Sequence, residues 1–414
     1  MVRQWYTRDI FDCAGVVDAV DGRISHPAIA TLTTQFRSNG TLCTLINKRF
    51  YGGILTTADA GTEHIVFREP LTYLNRYPVV LVDTSPLGPL GQSAQNSKAN
   101  LQHALLCRKI ALSLSSAGLC ETADGVGIIT PYRPQVALIR ELLDECGLSQ
   151  ISCGTVHRFQ GSERRAIVLD LTDSPPHTLG TFLRPTSLRD TGARLLNVAL
   201  SRARDHLFVV ANVAHLRAQL SPRHILSSVL DDMESVAYRM PVDELIGEPL
   251  QPERVADSNH APGIFAFQSF DEMLFLPALI TDLLEAHNDV VMSTFSLTPR
   301  VAQVLTSVLQ ERIQDGLRVT LIVDGSRALD SVEQRALKAI RDAGVLVIRA
   351  LSKPAPFVVV DSEVVWIGSI HPGDCLSGQE GLMTRSVSRR AASLLLEQQG
   401  RETTEVGVSA QQLG

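Results

Sequence analysis

Between Thr155 and Glu163 the segment TVHRFQGSE sets a threonine, a histidine, a glutamine, a glycine and a glutamate within nine positions. After Arg164 comes RAIVLDL, a run with the composition of a buried strand. Hydroxyl, imidazole, amide and carboxylate groups in one loop can bond a polar ligand, and in open α/β sheets ligands gather outside the carboxyl ends of strands. The same side chains would also serve a capped turn in which His157 and Gln160 bond backbone. Further on, LLNVALSRAR carries Asn197, Ser201, Arg202 and Arg204. Asn197 and Ser201, four apart, share a helical face from which Arg202 diverges. A guanidinium stays charged and its planar fork can hold phosphate through two parallel bonds, although a solvated basic helix end has the same composition.

Two further stretches could reach a nucleotide. In TLTTQFRSNG, Phe36 and Arg37 are adjacent, an aromatic face to stack on a base beside a cation to reach a phosphate. In GIITPYRPQV a strand runs through Thr130, Pro131 and Tyr132 into a helix, where a hydroxyl and the helix N-terminus together favour a phosphate oxygen.

These groups need elements to position them. Residues 79–212 alternate the strand-like runs VVLVDT, GVGIITPY, ISCGTV, RAIVLDL and HLFVVAN with helix-like segments. The latter are a long stretch from about Gln92 to Ser116, then RPQVALIRELLDECG and GARLLNVALSRAR. Short apolar runs separated by amphipathic helices predict a parallel sheet covered on both faces. From 213 to 263 the pattern loosens into Pro-, Asn- and Gly-rich sequence, which predicts a linker. A second alternation fills 264–400, ending in PFVVVDSEVVWIGS with Asp361 and Ser362 at a hairpin turn. Residues 401–414 lack an apolar stripe and read as a flexible tail.

Bulk composition narrows the classes. A chain of 414 residues with 44% hydrophobic residues is too long for one core and too apolar for wholesale disorder. No apolar run reaches a membrane span, the start MVRQWYTRDIFDCAG has no secretory pattern, and membrane association is not expected. Seven scattered cysteines without a C-x-x-C pair argue against a disulfide framework and a zinc ribbon, so a reducing cytoplasm and no bound metal are expected. The net charge of −6 confines any nucleic-acid contact to local patches. Five lysines stand against thirty-three arginines, and none follows a glycine, so a G-x-x-x-x-G-K-[ST] phosphate loop is absent from this sequence.

Taken in order, the four stretches resemble the second RecA-like motor domain of superfamily-1 helicases, in the group of the nonsense-mediated-decay helicase and the Dna-two-type nuclease-helicases. QFRS with INKRFYGGIL is similar to that group's QYRM and N..FY.G.L segment, ITPYRPQ to its motif IV region, TVHRFQGSE to motif V and LLNVALSRAR to motif VI. The resemblance covers about 31–212 within a first domain of 1–212. It implies that Arg202 is the finger on the γ-phosphate of ATP, with Arg37 as a second phosphate contact. Phe36 would lie near adenine, Gln160 and Gly161 would line the cleft, and Glu163 would sit near the ribose. Thr130, Tyr132, Thr155 and His157 would hold the backbone of single-stranded DNA or RNA. Such helicases also need a first RecA-like domain, which brings the phosphate loop and the acidic pair that holds Mg2+. This chain is expected to start just past that domain. Either a partner polypeptide supplies it, or the protein is a non-catalytic single-strand binder; the isolated chain is not expected to hydrolyse ATP.

The second region resembles phospholipase D-like domains through KPAPFVVVDSEVVWIGS, set against the pattern H-x-K-x-x-x-x-D followed by a strand ending in Gly-Ser. Asp361 and Ser369 keep the pattern, but Pro354 and Pro356 stand where the histidine and lysine belong. Proline offers neither a nucleophile nor a charge, so a catalytically degenerate module for binding or homodimerisation is implied, with a plain structural α/β unit as the alternative. His371 reads as a surface or packing histidine. The expected fold is α/β throughout: a RecA-like parallel-sheet domain, then a phospholipase D-like domain.

Overall fold

The computed structural model describes residues 10–409 except 18, 20–25, 59–65, 69–70, 89–90, 95–96, 123, 243–244, 246–266 and 379–380. A short helix α1 (Ile10–Cys13) precedes the ribbon strands β1 (Thr34–Gln35) and β2 (Thr56–Thr57), between which runs α2 (Gly40–Ile46). The main chain of the first domain then builds β3 (Val79–Asp83), the hairpin β4 (Gly91–Ala94) and β5 (Ser97–Asn100), α3 (Leu101–Ser116) and β6 (Val126–Ile129). It continues with α4 (Arg133–Glu145), β7 (Ser152–Gly154), β8 (Arg164–Asp170), α5 (Thr191–Leu200) and β9 (Ala203–Ala211).

Six strands make one wholly parallel sheet in the order β10-β3-β9-β8-β6-β7, where β10 is Tyr238–Pro241. Val79 to Val82 of β3 are 0% exposed, as continuous apolar runs must be in a sheet covered on both faces. One face packs on α3 and α4, the other on α2, α5 and two later helices, α6 (Val213–Gln219) and α7 (Ile225–Val236).

Three expectations change. Residues 213–241 are not linker: α6, α7 and β10 complete the first domain, because Leu226, Val229, Leu230 and Met233 of α7 are buried against the sheet. The rest of the expected linker, 246–263, lies outside the described residues. The long helix begins at Leu101 rather than near Gln92, since Asn100 caps it through a bond accepted from the His103 N–H and the polar residues before it pair as β4 and β5. The C-terminal helix reaches Ser409, so 401–409 belong to it, and 410–414 lie outside the described residues.

The second domain has β11 (Phe267–Asp271), α8 (Glu272–Glu285), β12 (Asp289–Thr294), α9 (Pro299–Gln314), β13 (Arg318–Asp324), α10 (Ser331–Asp342) and β14 (Leu346–Ala350). The hairpin β15 (Phe357–Val360) and β16 (Val364–Gly368), then β17 (Leu382–Val387) and α11 (Arg389–Ser409), complete it. Its seven-stranded mixed sheet runs β11-β17-β16-β15-β12-β13-β14. One core is centred on Trp366, whose Nε1 donates to Asp282 at 2.7 Å while Arg385 pairs with the same carboxylate at 2.8 Å. The opposite face shares a core with the first domain: Phe357, Val359, Val365 and Ile367 join Leu87, Leu105 and Ile139 in one cluster, with α11 packed between. Glu145 of α4 fastens this joint, accepting from Arg108 Nη1 (3.1 Å) and from the Ser388 hydroxyl (2.6 Å).

Candidate nucleotide and nucleic-acid site

The segment after β7 crosses the sheet. Thr155 leaves the carboxyl end of β7, a 3-10 turn Val156–Phe159 buries Phe159 on Gly127, and the chain arrives at the amino end of β8 with Glu163. Gly127 must be glycine there, because an added Cβ would stand 2.7 Å from the Phe159 ring. The expected carboxyl-edge loop therefore touches both edges, with Thr155 and His157 at one and Gln160 to Glu163 at the other. Gly161 takes a left-handed φ of 82° with open space around it, so glycine is there for the turn.

Three guanidinium groups meet at the amino ends of β8 and β9. Arg37 Nε donates to Glu163 Oε2 at 3.0 Å and its Nη1 to the Ser201 carbonyl at 3.4 Å. Gln35 fixes this loop by accepting from the backbone N–H groups of Arg37 and Ser38. Arg204 Nη1 lies 3.7 Å from the other Glu163 oxygen and 3.3 Å from Asp124. Arg202 is 8% exposed and donates to the Val198 carbonyl (3.1 Å), the Ser162 carbonyl (3.0 Å) and the Ser201 hydroxyl (3.1 Å). Burial, then the neighbouring charge of Arg37, lowers its pKa. The arginine was expected to project from a helix; instead α5 ends at Leu200, Ser201 caps it, and Arg202 sits in the turn into β9. Asn197 donates to the Tyr51 hydroxyl at 3.0 Å, joining the NKRFY segment to the same corner. Phe36 is 71% exposed beside Arg37, and Gln160 is exposed.

At the carboxyl edge the expected contacts divide. Thr130 is 0% exposed, its hydroxyl paired with that of Thr172 at 2.7 Å, so it supports the edge from within rather than meeting a ligand. Tyr132 is likewise engaged, donating to Asp173 at 2.6 Å, and burial, then Asp173, raises its pKa. Lys98 also pairs with Asp173. Thr155 is half-buried, and His157 is exposed.

Sequence reasoning missed what holds this edge. His103 bridges Asp170 (2.8 Å) and the Thr84 hydroxyl (2.8 Å), and Gln135 donates to the other Asp170 oxygen at 2.7 Å. Asp170 also accepts from the N–H of Thr172, which holds a left-handed φ of 63°, costly for a β-branched residue. Only polar residues placed inside apolar runs, such as Asp170 at the end of RAIVLD, signalled it.

In the second domain Pro354 and Pro356 are buried in the irregular segment that leads into β15. Asp361 does not face a cleft: its carboxylate accepts from the backbone N–H groups of His287, Asn288 and Asp289 at 2.8, 2.6 and 3.1 Å. Ser369 donates to the Pro86 carbonyl of the first domain at 3.2 Å. Among the described residues no group of three or more His, Cys, Asp or Glu could hold a metal ion, and no helix is long and apolar enough to cross a membrane.

Residues 21–214 match the AAA domain family. The DNA replication ATP-dependent helicase/nuclease DNA2 of Bos taurus is 27% identical over 223 residues, 48% of this chain and 20% of that protein. The DNA polymerase alpha-associated DNA helicase A of Schizosaccharomyces pombe is 35% identical over 122 residues, 28% of this chain and 16% of that protein. The mouse 5'-3' DNA helicase ZGRF1 is 28% identical over 191 residues, 45% of this chain and 9% of that protein. The chain thus spans at most 20% of the length of these curated relatives. Among solved structures, the phospholipase D family member Nuc from Salmonella typhimurium aligns with 33% of this chain and 93% of its own, at 16% identity and a TM-score of 0.30. Residues 21–214 are therefore similar to an AAA domain and to part of these DNA helicases.

Proposed function

We propose that the first domain supplies one wall of an ATP cleft in a nucleic-acid helicase and closes on a first RecA-like domain carried by another segment or polypeptide. The observation that carries this reading is the convergence of Arg37, Glu163, Arg202 and Arg204, drawn from three separate stretches, at the amino ends of β8 and β9. The corner suits a polyphosphate: three guanidinium groups share few carboxylates, and Arg204 Nε is buried without a hydrogen-bond partner. Arg37, with 40% of its side chain exposed, is the group able to swing onto a phosphate, and Arg202 positions the corner and presents its remaining N–H groups. Phe36 offers a face to adenine, and Gln160, Gly161 and Glu163 border the nucleotide. Mg2+ would be held by residues outside this sequence, which contains no phosphate loop. Bound ATP would supply the phosphoryl group and the binding energy that closes the cleft.

His157 and Thr155 contact the single strand at the carboxyl edge, and Tyr132 and Thr130 shape that edge from behind. The second domain, without donors at Pro354 and Pro356, is a non-hydrolytic module that binds nucleic acid or a second copy of the chain. Seven free cysteines fit a reducing compartment such as the cytoplasm.

One observation favours a strand-binding protein without turnover: Arg202 spends three donors on its own chain, as a structural arginine does. ATPase assays of the chain with a polypeptide bearing the phosphate loop separate the two readings. Strand-stimulated turnover that falls about a hundredfold or more in Arg37→Ala supports the cleft. Strand binding with no turnover in any mixture supports the binder.

A further inference from the structure

The carboxyl edges of the two sheets meet. Ser369, directly after β16, bonds the Pro86 carbonyl in the turn after β3, and its Cα lies 3.0 Å from the point where a Cβ on Gly88 would stand. Two residues on, His371 Nδ1 accepts from the backbone N–H of Phe295, the first residue after β12, at 3.0 Å. A line of contacts therefore leads from the first domain through Ser369 and His371 to Phe295.

Two cations converge on that phenyl ring. Arg327 Cζ and Lys353 Nζ each lie 4.6 Å from its centroid, one from the turn after β13 and the other from the segment before β15. Arg327 is matched in charge: it pairs with Glu333 and Asp324. Lys353 is exposed and has no ion pair among the described residues, so its ammonium stands beside the ring with an unneutralised charge. Next to it, His371 uses Nδ1 as an acceptor, which places the proton of the neutral ring on Nε2 as a donor. Burial, then Lys353, lowers the His371 pKa to about 4, so the ring stays neutral at pH 7. An unpaired ammonium and a neutral N–H donor beside a half-exposed aromatic residue suit a singly charged, partly solvated oxyanion. A phosphodiester linkage is such a group, and it recurs along a single strand.

We propose that Lys353, with His371 and Phe295, is a second-domain contact for the sugar-phosphate backbone of a single strand whose first contact is at His157. This rests on the strand-binding reading above. The sheet order gives the separation: β7 is four strands from β3, roughly 20 Å, and β16 is two strands from β12, roughly 10 Å. Only a strand long enough to follow both edges reaches both contacts.

The test is fluorescence anisotropy across a salt series with oligothymidylates of about 4 and about 25 nucleotides. It compares the whole chain with Lys353→Gln and His157→Ala. Lys353 is exposed, so its replacement leaves the core intact. The expected result is that Lys353→Gln weakens the long oligonucleotide roughly threefold to tenfold, lowers its salt slope by about 0.7, and leaves the short one unchanged. If the long oligonucleotide binds wild type and Lys353→Gln with the same affinity and slope, while His157→Ala weakens it, the second-domain contact is wrong and the strand-binding reading stands. If wild type binds neither oligonucleotide, the reading beneath it fails as well.

Discussion

Glu163 stands between two arginines, its Oε2 3.0 Å from Arg37 Nε and its Oε1 3.7 Å from Arg204 Nη1. The carboxylate therefore occupies the place on Arg37 that a phosphate oxygen would take. Its partners are half-exposed, so the pairing is worth no more than about 1 kcal/mol and is easily exchanged for a stronger charge-assisted bond.

Removing that competing charge should expose the arginines. Glu163→Gln is expected to bind inorganic tripolyphosphate about twofold to tenfold more tightly, read by calorimetry at low salt. Tripolyphosphate has no ribose, so loss of a sugar contact does not enter the measurement. Equal affinity in the two proteins would mean that Arg37 is not held by Glu163 in solution.

Arg202 behaves differently from Arg37 because it is nearly enclosed. Arg202→Ala leaves the Ser162 carbonyl without its donor and takes one bond from the Val198 carbonyl, which keeps the Ser201 N–H and hydroxyl, and a loss of about 2 kcal/mol is expected as a lower urea midpoint. Arg37→Ala should shift the midpoint by less than about 1 kcal/mol. The reverse order of the two variants would refute the assignment of Arg202 as the positioning residue of the corner.

The parallel sheet and most of the helices could be read from the chain because each signal is local: an apolar run for a strand, period 3.6 for a helix. The residues gathered at the corner were legible one by one, and Arg37, Glu163 and Arg202 do meet. What each one faces was not, because exposure depends on packing between distant segments. Thr130 reads as a strand-end hydroxyl open to a ligand, yet Thr172, forty-two residues on, covers it. In the same way α7 and β10 carry weak patterns, and their place is set by partners distant in sequence: α7 packs on α2 and β3, and β10 extends the sheet alongside β3.

Acid should destabilise the fold through buried neutral histidines. Burial lowers the pKa of His206 to about 4, against the edge of Phe67 at 5.0 Å. The unfolded chain takes up the proton near pH 6.5 and the folded chain does not, so stability is unaffected above pH 6.5 and falls as pH drops from 6.5 toward 4. The loss has an upper bound of about 3 kcal/mol for this group. Urea midpoints measured over that range should fall in wild type and fall less in His206→Gln. Parallel profiles would show that His206 is protonated in the native protein.

Asp361 carries the last prediction, because sequence and structure give it different work. By sequence position it matches the aspartate of the H-x-K-x-x-x-x-D pattern; by contact it is a clamp that holds the segment 287–289, at the start of β12, to the β15–β16 turn. Its own φ of 51° and that of Ser362, 54°, are left-handed, a conformation that Asn adopts as readily as Asp. Asp361→Asn therefore keeps the turn and a single acceptor oxygen but removes the charge that three N–H groups face. Burial alone would raise the Asp361 pKa, but those N–H bonds outweigh it and hold the pKa below the ordinary value. A depressed folded pKa contributes stability that is present above the unfolded value, near pH 4, and is lost as pH falls through the folded one. The asparagine variant should lose about 1–2 kcal/mol at neutral pH and approach wild type as pH falls through the folded pKa of Asp361. A constant difference between the two proteins across that range would show that the charge plays no part in the clamp, and an undiminished midpoint at pH 7 would show that there is no clamp.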